Sequence, residues 1–383
     1  MKIAGIVAEY DPFHLGHEYH LRRAKEQADY AVAVMSGWFT QRGRAACLSK
    51  YDRAKMALLS GADAVIELPA LYAVRPAEVF ARGGVELIAR MGCDEICFGC
   101  ETDDRDLLLR LAALGNDEPE SVQSAIRSLL DRGETYPRAR ARAYAEHLGV
   151  TEEQISQPNT LLAAEYIRAA RGRLTVRPVK RLGDYHGRSE GGFLSASQIR
   201  ALSRTDLPRA LAGIPENARH IAERMTQRTD GDDSLLYAVR NASLAMLENL
   251  PESGEGIEHR IAREAKCSAT REELAERIKC KRYTRARIDR ILTQCLIGMT
   301  KELSEQYPAP PYARVVGVRR DAMGCLAELE KRSSIPIITR TRDVMNHPVF
   351  LQECRAADAW SLTRTDPAER ISGREYTEKL LII

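Results

Sequence analysis

No stretch of about 18 apolar residues runs uninterrupted in this 383-residue chain, so no segment reads as a membrane-spanning helix. The opening MKIAGIVAEYDPFHLGH meets polar residues too soon for the apolar region of a secretory leader. Both absences point to a cytoplasmic protein without a membrane partner. Neither G-x-G-x-x-G nor G-x-x-x-x-G-K-[ST] occurs, which removes the main support for a dinucleotide oxidoreductase or a P-loop NTPase. There is no internal repeat and no low-complexity tract. The nine cysteines are odd in number and irregularly spaced, so they read as reduced thiols rather than a disulfide framework. Cys93, Cys97 and Cys100 have no second Cys or His pair at a zinc-ligand spacing. They read as small apolar residues of a buried strand, and no protein-ligated metal is expected there. Net charge is also nearly absent, at +3. Any contact with nucleic acid must therefore come from local patches, and DNA is not an expected partner.

What is present is ample material for a core: 44% hydrophobic residues beside 29% charged ones. The length suggests two domains. Residues 2–8, 30–36, 64–68 and 95–98 are short, apolar and β-prone. Helix-period stretches at 15–28, 51–60 and 77–90 alternate with them, and a further helix (160–170) and strand (175–179) follow. Parallel neighbours need helical crossovers, so this alternation predicts an α/β fold, a Rossmann-like doubly wound parallel sheet. Beyond Thr205 the pattern turns to long helix-period stretches at 235–250, 257–265, 271–278 and 285–301. The expected division is a nucleotide-binding unit over 1–204 and a mainly helical domain over 205–383. Residues 335–339 are β-prone, which suggests that the C-terminal part returns to mixed structure against the first domain.

The stretch His14-Leu15-Gly16-His17 follows the first strand directly and opens a helix. Free N–H groups and partial positive charge at a helix N-terminus suit phosphate, and a glycine lets a ligand approach the backbone. Two imidazoles there can donate hydrogen bonds to phosphate oxygens as charge builds in a transition state, with no proton transfer required. His14 and His17 are thus the candidate catalytic pair; the alternative is two polar helix-cap histidines. Further along, Ser195-Ala196-Ser197-Gln198-Ile199-Arg200 places small hydroxyls and an arginine at another helix start. Ser197 and Arg200 suit a triphosphate tail, Arg200 neutralising departing pyrophosphate. An ordinary N-cap with a surface arginine would have the same sequence.

The pair of motifs resembles the HIGH-superfamily nucleotidyltransferases. Within that superfamily, GIVAEYDPFHLGHEYHL, SGWFTQRGRAACLSKYDRAKMALLSGADAVIELP, FGCE, PNTLLAAEYI and the Arg181…Tyr185-His186 segment look like the bacterial tRNA(Met) cytidine acetate ligases, over most of residues 1–200. That family uses ATP to activate acetate as acetyl-adenylate and transfers the acetyl group to the exocyclic amine of the wobble cytidine of elongator tRNA(Met). The resemblance implies ATP contacts at Val7, Ala8, Glu9, Tyr10, Asp11, Pro12, Phe13, His14, Leu15, Gly16, His17, Glu18, Tyr19 and His20. It extends them to Gly99, Asn159, Arg181 and Leu182, with magnesium bridging the phosphates. Asp11 departs from the family pattern, where asparagine is usual. Arg44 stands where an acidic residue is common.

The densest basic run, 279–287, offers Lys279, Lys281, Arg282, Arg285 and Arg287 to RNA phosphates, with Tyr283 available to stack on a base. A solvated helix face would look the same. Two other functions share the ATP motif: a small-molecule adenylyltransferase, and a non-catalytic RNA-binding protein that retains an ATP fold.

Overall fold

A computed structural model describes residues 1–181 and 193–383 of the chain. Five apolar runs pair as parallel strands: β1 (Ile3–Ala8), β2 (Tyr30–Ser36), β3 (Ala64–Leu68), β4 (Glu95–Cys100) and β5 (Thr175–Lys180). Their order is β5-β4-β1-β2-β3, with every contact parallel. This is the doubly wound arrangement expected from the sequence, and each strand lies within three residues of its expected bounds. β2 is buried at every position but Tyr30 and β3 at all of its positions, as strands covered on both faces must be. The crossover helices include Leu15–Lys25, Lys50–Leu59, Ala77–Arg90 and Pro158–Ala170. Gly84 lets Ala77–Arg90 sit directly on β1, because a Cβ there would lie 2.6 Å from a Val7 methyl.

The sheet continues past the boundary expected at 204/205. β6 (Ala313–Val318) pairs antiparallel with β3, and β7 (Ile337–Ile338) and β8 (Leu381–Ile382) pair parallel with β6. β3 would otherwise be a largely apolar edge open to pairing with other chains, and the uniformly buried β6 covers it. The main core accordingly draws on residues from Ile3 to Trp360. Two smaller cores stand beside it, one over Leu107–Ala164 and one over Leu235–Leu292. The second holds the helices Asp232–Asn241, Ile257–Glu264, Arg271–Ile278 and Arg285–Leu296. Segment 205–383 thus supplies both a helical unit and three strands of the sheet. Among the described residues no helix is long and apolar enough to cross a membrane. All nine cysteines are free thiols.

Candidate active site

β1 and β4 are neighbours whose following connections leave in opposite directions, and a doubly wound sheet binds ligands at such a switch point, beyond the strands' carboxyl ends. A cavity of about 940 Å³ opens there. Its wall brings together residues far apart in sequence: Val7–Asp11 from the end of β1, His14, Gly16, His17, Tyr19 and His20, then Gly99, Asn159, Arg181, Ser197 and Arg200. Of the remaining candidates, Pro12, Phe13, Leu15 and Glu18 do not line it; Phe13 is fully buried in the core instead. Leu182 and the Tyr185-His186 segment lie outside the described residues.

His14 is the N-cap of helix Leu15–Lys25, and His17 is its third residue. The His14 Nδ1 accepts the Gly16 N–H at 3.0 Å, and the His17 Nδ1 accepts the His14 N–H at 3.3 Å. The rings stack with centroids 3.7 Å apart. A neutral imidazole that accepts at Nδ1 carries its proton on Nε2, so this reciprocal cap leaves one donor nitrogen on each ring for a ligand. Capping by these rings therefore does not exclude ligand binding by them. Burial, reinforced by Arg181 and Arg200, lowers the His14 pKa to about 3. Burial, then His14 and Arg181, holds His17 well below its ordinary value. Both rings are neutral donors near neutral pH, suited to polarising a phosphate without carrying a charge. Gly16 has a role the spacing alone does not show: a Cβ there would stand 2.9 Å from the His14 Cε1. Tyr10, at a left-handed φ of 49°, closes the floor and packs edge-on against His17 and Phe13.

Asp11 lines the cavity but is engaged. Its Oδ1 accepts the Cys47 N–H at 2.6 Å, and its Oδ2 lies 3.3 Å from Arg200, which also donates to the Asp11 carbonyl. Burial would raise this carboxyl; Arg200, Arg53 and the Cys47 N–H outweigh it and hold the pKa below the usual range. Among the described residues no group of three or more His, Cys, Asp or Glu side chains could hold a metal. With Asp11 already engaged, these residues do not form a protein cage for a metal ion.

Several supporting residues show their roles only in the fold, although Arg53 and Glu101 lie inside the motif stretches quoted above. Arg53, fully buried, donates to the carbonyls of Leu48, Glu9, Ser36 and Gly37 and so fixes the ends of β1 and β2. Glu101 accepts from the Asn159 side chain at 2.6 Å and from the Thr160 N–H at 2.8 Å, capping the helix that presents Asn159. The turn Thr40–Arg44 forms another wall. Its Gly43 carbonyl is gripped by Arg271 at 2.6 Å and Thr293 at 2.5 Å, which ties the helical unit to the cavity. Arg44, the second departure from the family pattern, lies 3.5 Å from both Glu272 and Asp289 of that unit.

The basic run is largely neutralised by its own fold. Arg285 pairs with Glu272, Glu276 and Asp289, Arg287 with Glu255, and Lys279 with Glu276. Tyr283 is only 5% exposed, its hydroxyl donating to the Glu255 carbonyl, so it does not serve as a stacking platform. Lys281 and Arg282 are exposed and form no ion pair among the described residues.

Comparison with known proteins identifies the family. The family model described as HIGH Nucleotidyl Transferase matches residues 1–375. The tRNA(Met) cytidine acetate ligase of Geobacillus sp. (strain WCH70) is 34% identical over 401 residues, covering 100% of both chains. That of Bacillus subtilis (strain 168) is 34% identical over 389 residues, covering 96% of this chain and 94% of the relative. Among solved structures, Thermotoga maritima TmcAL bound with alpha-thio ATP is 30% identical over all of both chains with a TM-score of 0.88, and its apo form gives 0.89. The chain therefore belongs to the HIGH nucleotidyltransferases and, among them, to the tRNA(Met) cytidine acetate ligase family.

Proposed function

We propose that this protein is an ATP-dependent ligase that converts acetate and ATP to acetyl-adenylate and pyrophosphate, then transfers the acetyl group to the exocyclic amine of the wobble cytidine of elongator tRNA(Met). The observation that carries this reading is the His14–His17 cap, with two neutral donor rings at the switch point, in one cavity with Arg181 and Arg200. In the first step an acetate oxygen bonds to the α-phosphorus and the bond to the pyrophosphate oxygen breaks. The Nε2–H groups of His14 and His17 meet the charge that builds on the α-phosphate oxygens. Arg181 and Arg200 face the leaving pyrophosphate, and Gly99 and Asn159 line the wall available to the adenosine. Magnesium, bound to the triphosphate, would supply further neutralisation of its charge.

For RNA, the helical unit over 232–296 supports a docking role, with Lys281 and Arg282 among its exposed cations and Arg271 reaching from it to the cavity wall. The test is exchange of labelled pyrophosphate into ATP with and without acetate. Acetate-dependent exchange supports the ligase. Exchange indifferent to acetate would move the assignment to an adenylyltransferase with another acceptor, and ATP binding without exchange would point to a non-catalytic RNA-binding protein.

A further inference from the structure

Two carboxylates share the cavity wall at the end of β1, Glu9 and Asp11, and their surroundings drive them apart. Asp11 is engaged by Arg200 and the Cys47 N–H. Glu9 has a different setting. Its Oε1 accepts the Gln41 N–H, and its own carbonyl is held by Arg53, so the carboxylate is fixed in direction. The cavity beside it is walled by Ala77, Phe80, Leu162 and Tyr166, apolar and aromatic side chains drawn from two helices. Phe80 and Tyr166 are almost wholly buried, at 2% and 4% exposed, and Tyr166 also packs against Phe98 with centroids 5.7 Å apart. A fixed acceptor oxygen beside an apolar, aromatic-lined wall suits a base with an exocyclic amine: apolar packing against the edge of the ring and a carboxylate for the amine hydrogens.

Resting on the ligase reading above, we infer that Glu9 holds the exocyclic amine of the acceptor cytosine against the aromatic wall and takes its proton during acetyl transfer. In that step the amine nitrogen bonds to the acetyl carbonyl carbon. The bond from that carbon to the bridging oxygen breaks, AMP departs with the electron pair, and one amine proton passes to the Glu9 carboxylate. Burial raises the Glu9 carboxyl against the opposing Gln41 N–H, with Asp11 adding to the rise and Arg200 and Arg42 working against it. Tyr166 also faces Glu9, and burial keeps its phenol protonated. Glu9 is thus a better base than a free carboxylate while Asp11 stays ionised, the separation of roles that paired acids in one site achieve.

The test uses the full-length protein and its Glu9→Gln variant, which preserves shape and removes the base. Pyrophosphate exchange with acetate reports adenylation; single-turnover acetylation of unmodified elongator tRNA(Met) reports transfer. The expected result is that transfer falls at least about 100-fold more than exchange and loses the acidic limb of its pH profile. Binding gives a readout independent of turnover. The wild type should prefer an anticodon stem-loop with cytidine at the target position over one with uridine. The variant should lose that preference, because a glutamine amide can donate to the uracil oxygen. Equal loss of exchange and transfer would place Glu9 on the nucleotide and overturn the assignment, as would transfer at the wild-type rate. A wild-type protein that performs neither half-reaction would overturn the ligase reading itself.

Discussion

Replacing Gly16 by alanine separates helix stability from chemistry at this site. An added Cβ would stand 2.9 Å from the His14 Cε1 and 3.1 Å from its Nδ1, closer than carbon atoms tolerate. The neighbour that must yield is the His14 ring, because the backbone on both sides is committed to the helix start. Moving it breaks the Nδ1 cap, at a cost of about 1 kcal/mol, typical of losing an N-cap side chain. Alanine in place of glycine within the first turn returns up to about 1 kcal/mol of helix propensity. The two nearly cancel, so the melting temperature should move by no more than about 4 °C in a chain of this size. Activity has no such compensation. The Nε2 donor of His14 leaves the position at which phosphate charge develops, and losing one such donor costs about 10²- to 10³-fold. The assay is acetate-dependent pyrophosphate exchange beside calorimetric melting. Near-wild-type exchange in a folded Gly16→Ala protein would refute the claim that the cap aims His14 at the α-phosphate.

Three further predictions concern charges at the cap and in the helical unit. Asp11→Asn keeps an acceptor for the Cys47 N–H but frees Arg200 and removes a negative charge facing the phosphates, so ATP should bind up to about tenfold more tightly, roughly 1.4 kcal/mol. Titration calorimetry decides this, and unchanged or weaker binding contradicts it. The His14, His17 and His20 rings all have lowered pKa values in the fold, His14 to about 3 and His20 to about 4, chiefly through burial. Below pH 6.5 the unfolded chain therefore binds more protons than the folded one, and stability falls as pH drops from 6.5 to 5. Each ring contributes at most about 1.4 kcal/mol per pH unit in that window. Denaturant midpoints at pH 7, 6 and 5 that do not change would contradict the buried neutral rings. Lys281→Ala with Arg282→Ala should weaken tRNA binding and flatten its salt dependence, whereas alanine at Arg285 and Arg287 should change that slope less, because their charges are already paired. Filter binding across a salt series checks the order, and the reverse order contradicts it.

The doubly wound part of the fold was legible because parallel strands buried on both faces read as short apolar runs, and five of them stand at crossover spacing. β7 falls within the β-prone stretch 335–339 expected to return against the first domain, but β6 and β8 were not legible as members of the same sheet. Pairing of Ala64 with Val318 joins residues some 250 positions apart, and nothing local to ARVVGV names β3 as its partner. The same distinction runs through the site. The His14–His17 pair was readable because cap, glycine and strand end lie within a few residues. Arg53, Glu101 and the grip of Arg271 on Gly43 act across distance: the first two lie in quoted motif stretches, but none of the three shows its role until the chain has folded. The basic run failed in the opposite direction. Its cations are contiguous in sequence, but Glu255, Glu272, Glu276 and Asp289, which neutralise most of them, arrive only through packing of neighbouring helices.

The most direct test of the central claim follows labelled acetate into RNA. The purified protein is incubated with ATP, magnesium and unmodified elongator tRNA(Met), and the RNA is digested to nucleosides and analysed by mass. The account predicts label in a single acetylated cytidine at the wobble position, dependent on ATP and lost when His17 is replaced by alanine. Label recovered in a small molecule with no acetylated nucleoside, or acetylation that persists without ATP, would contradict it.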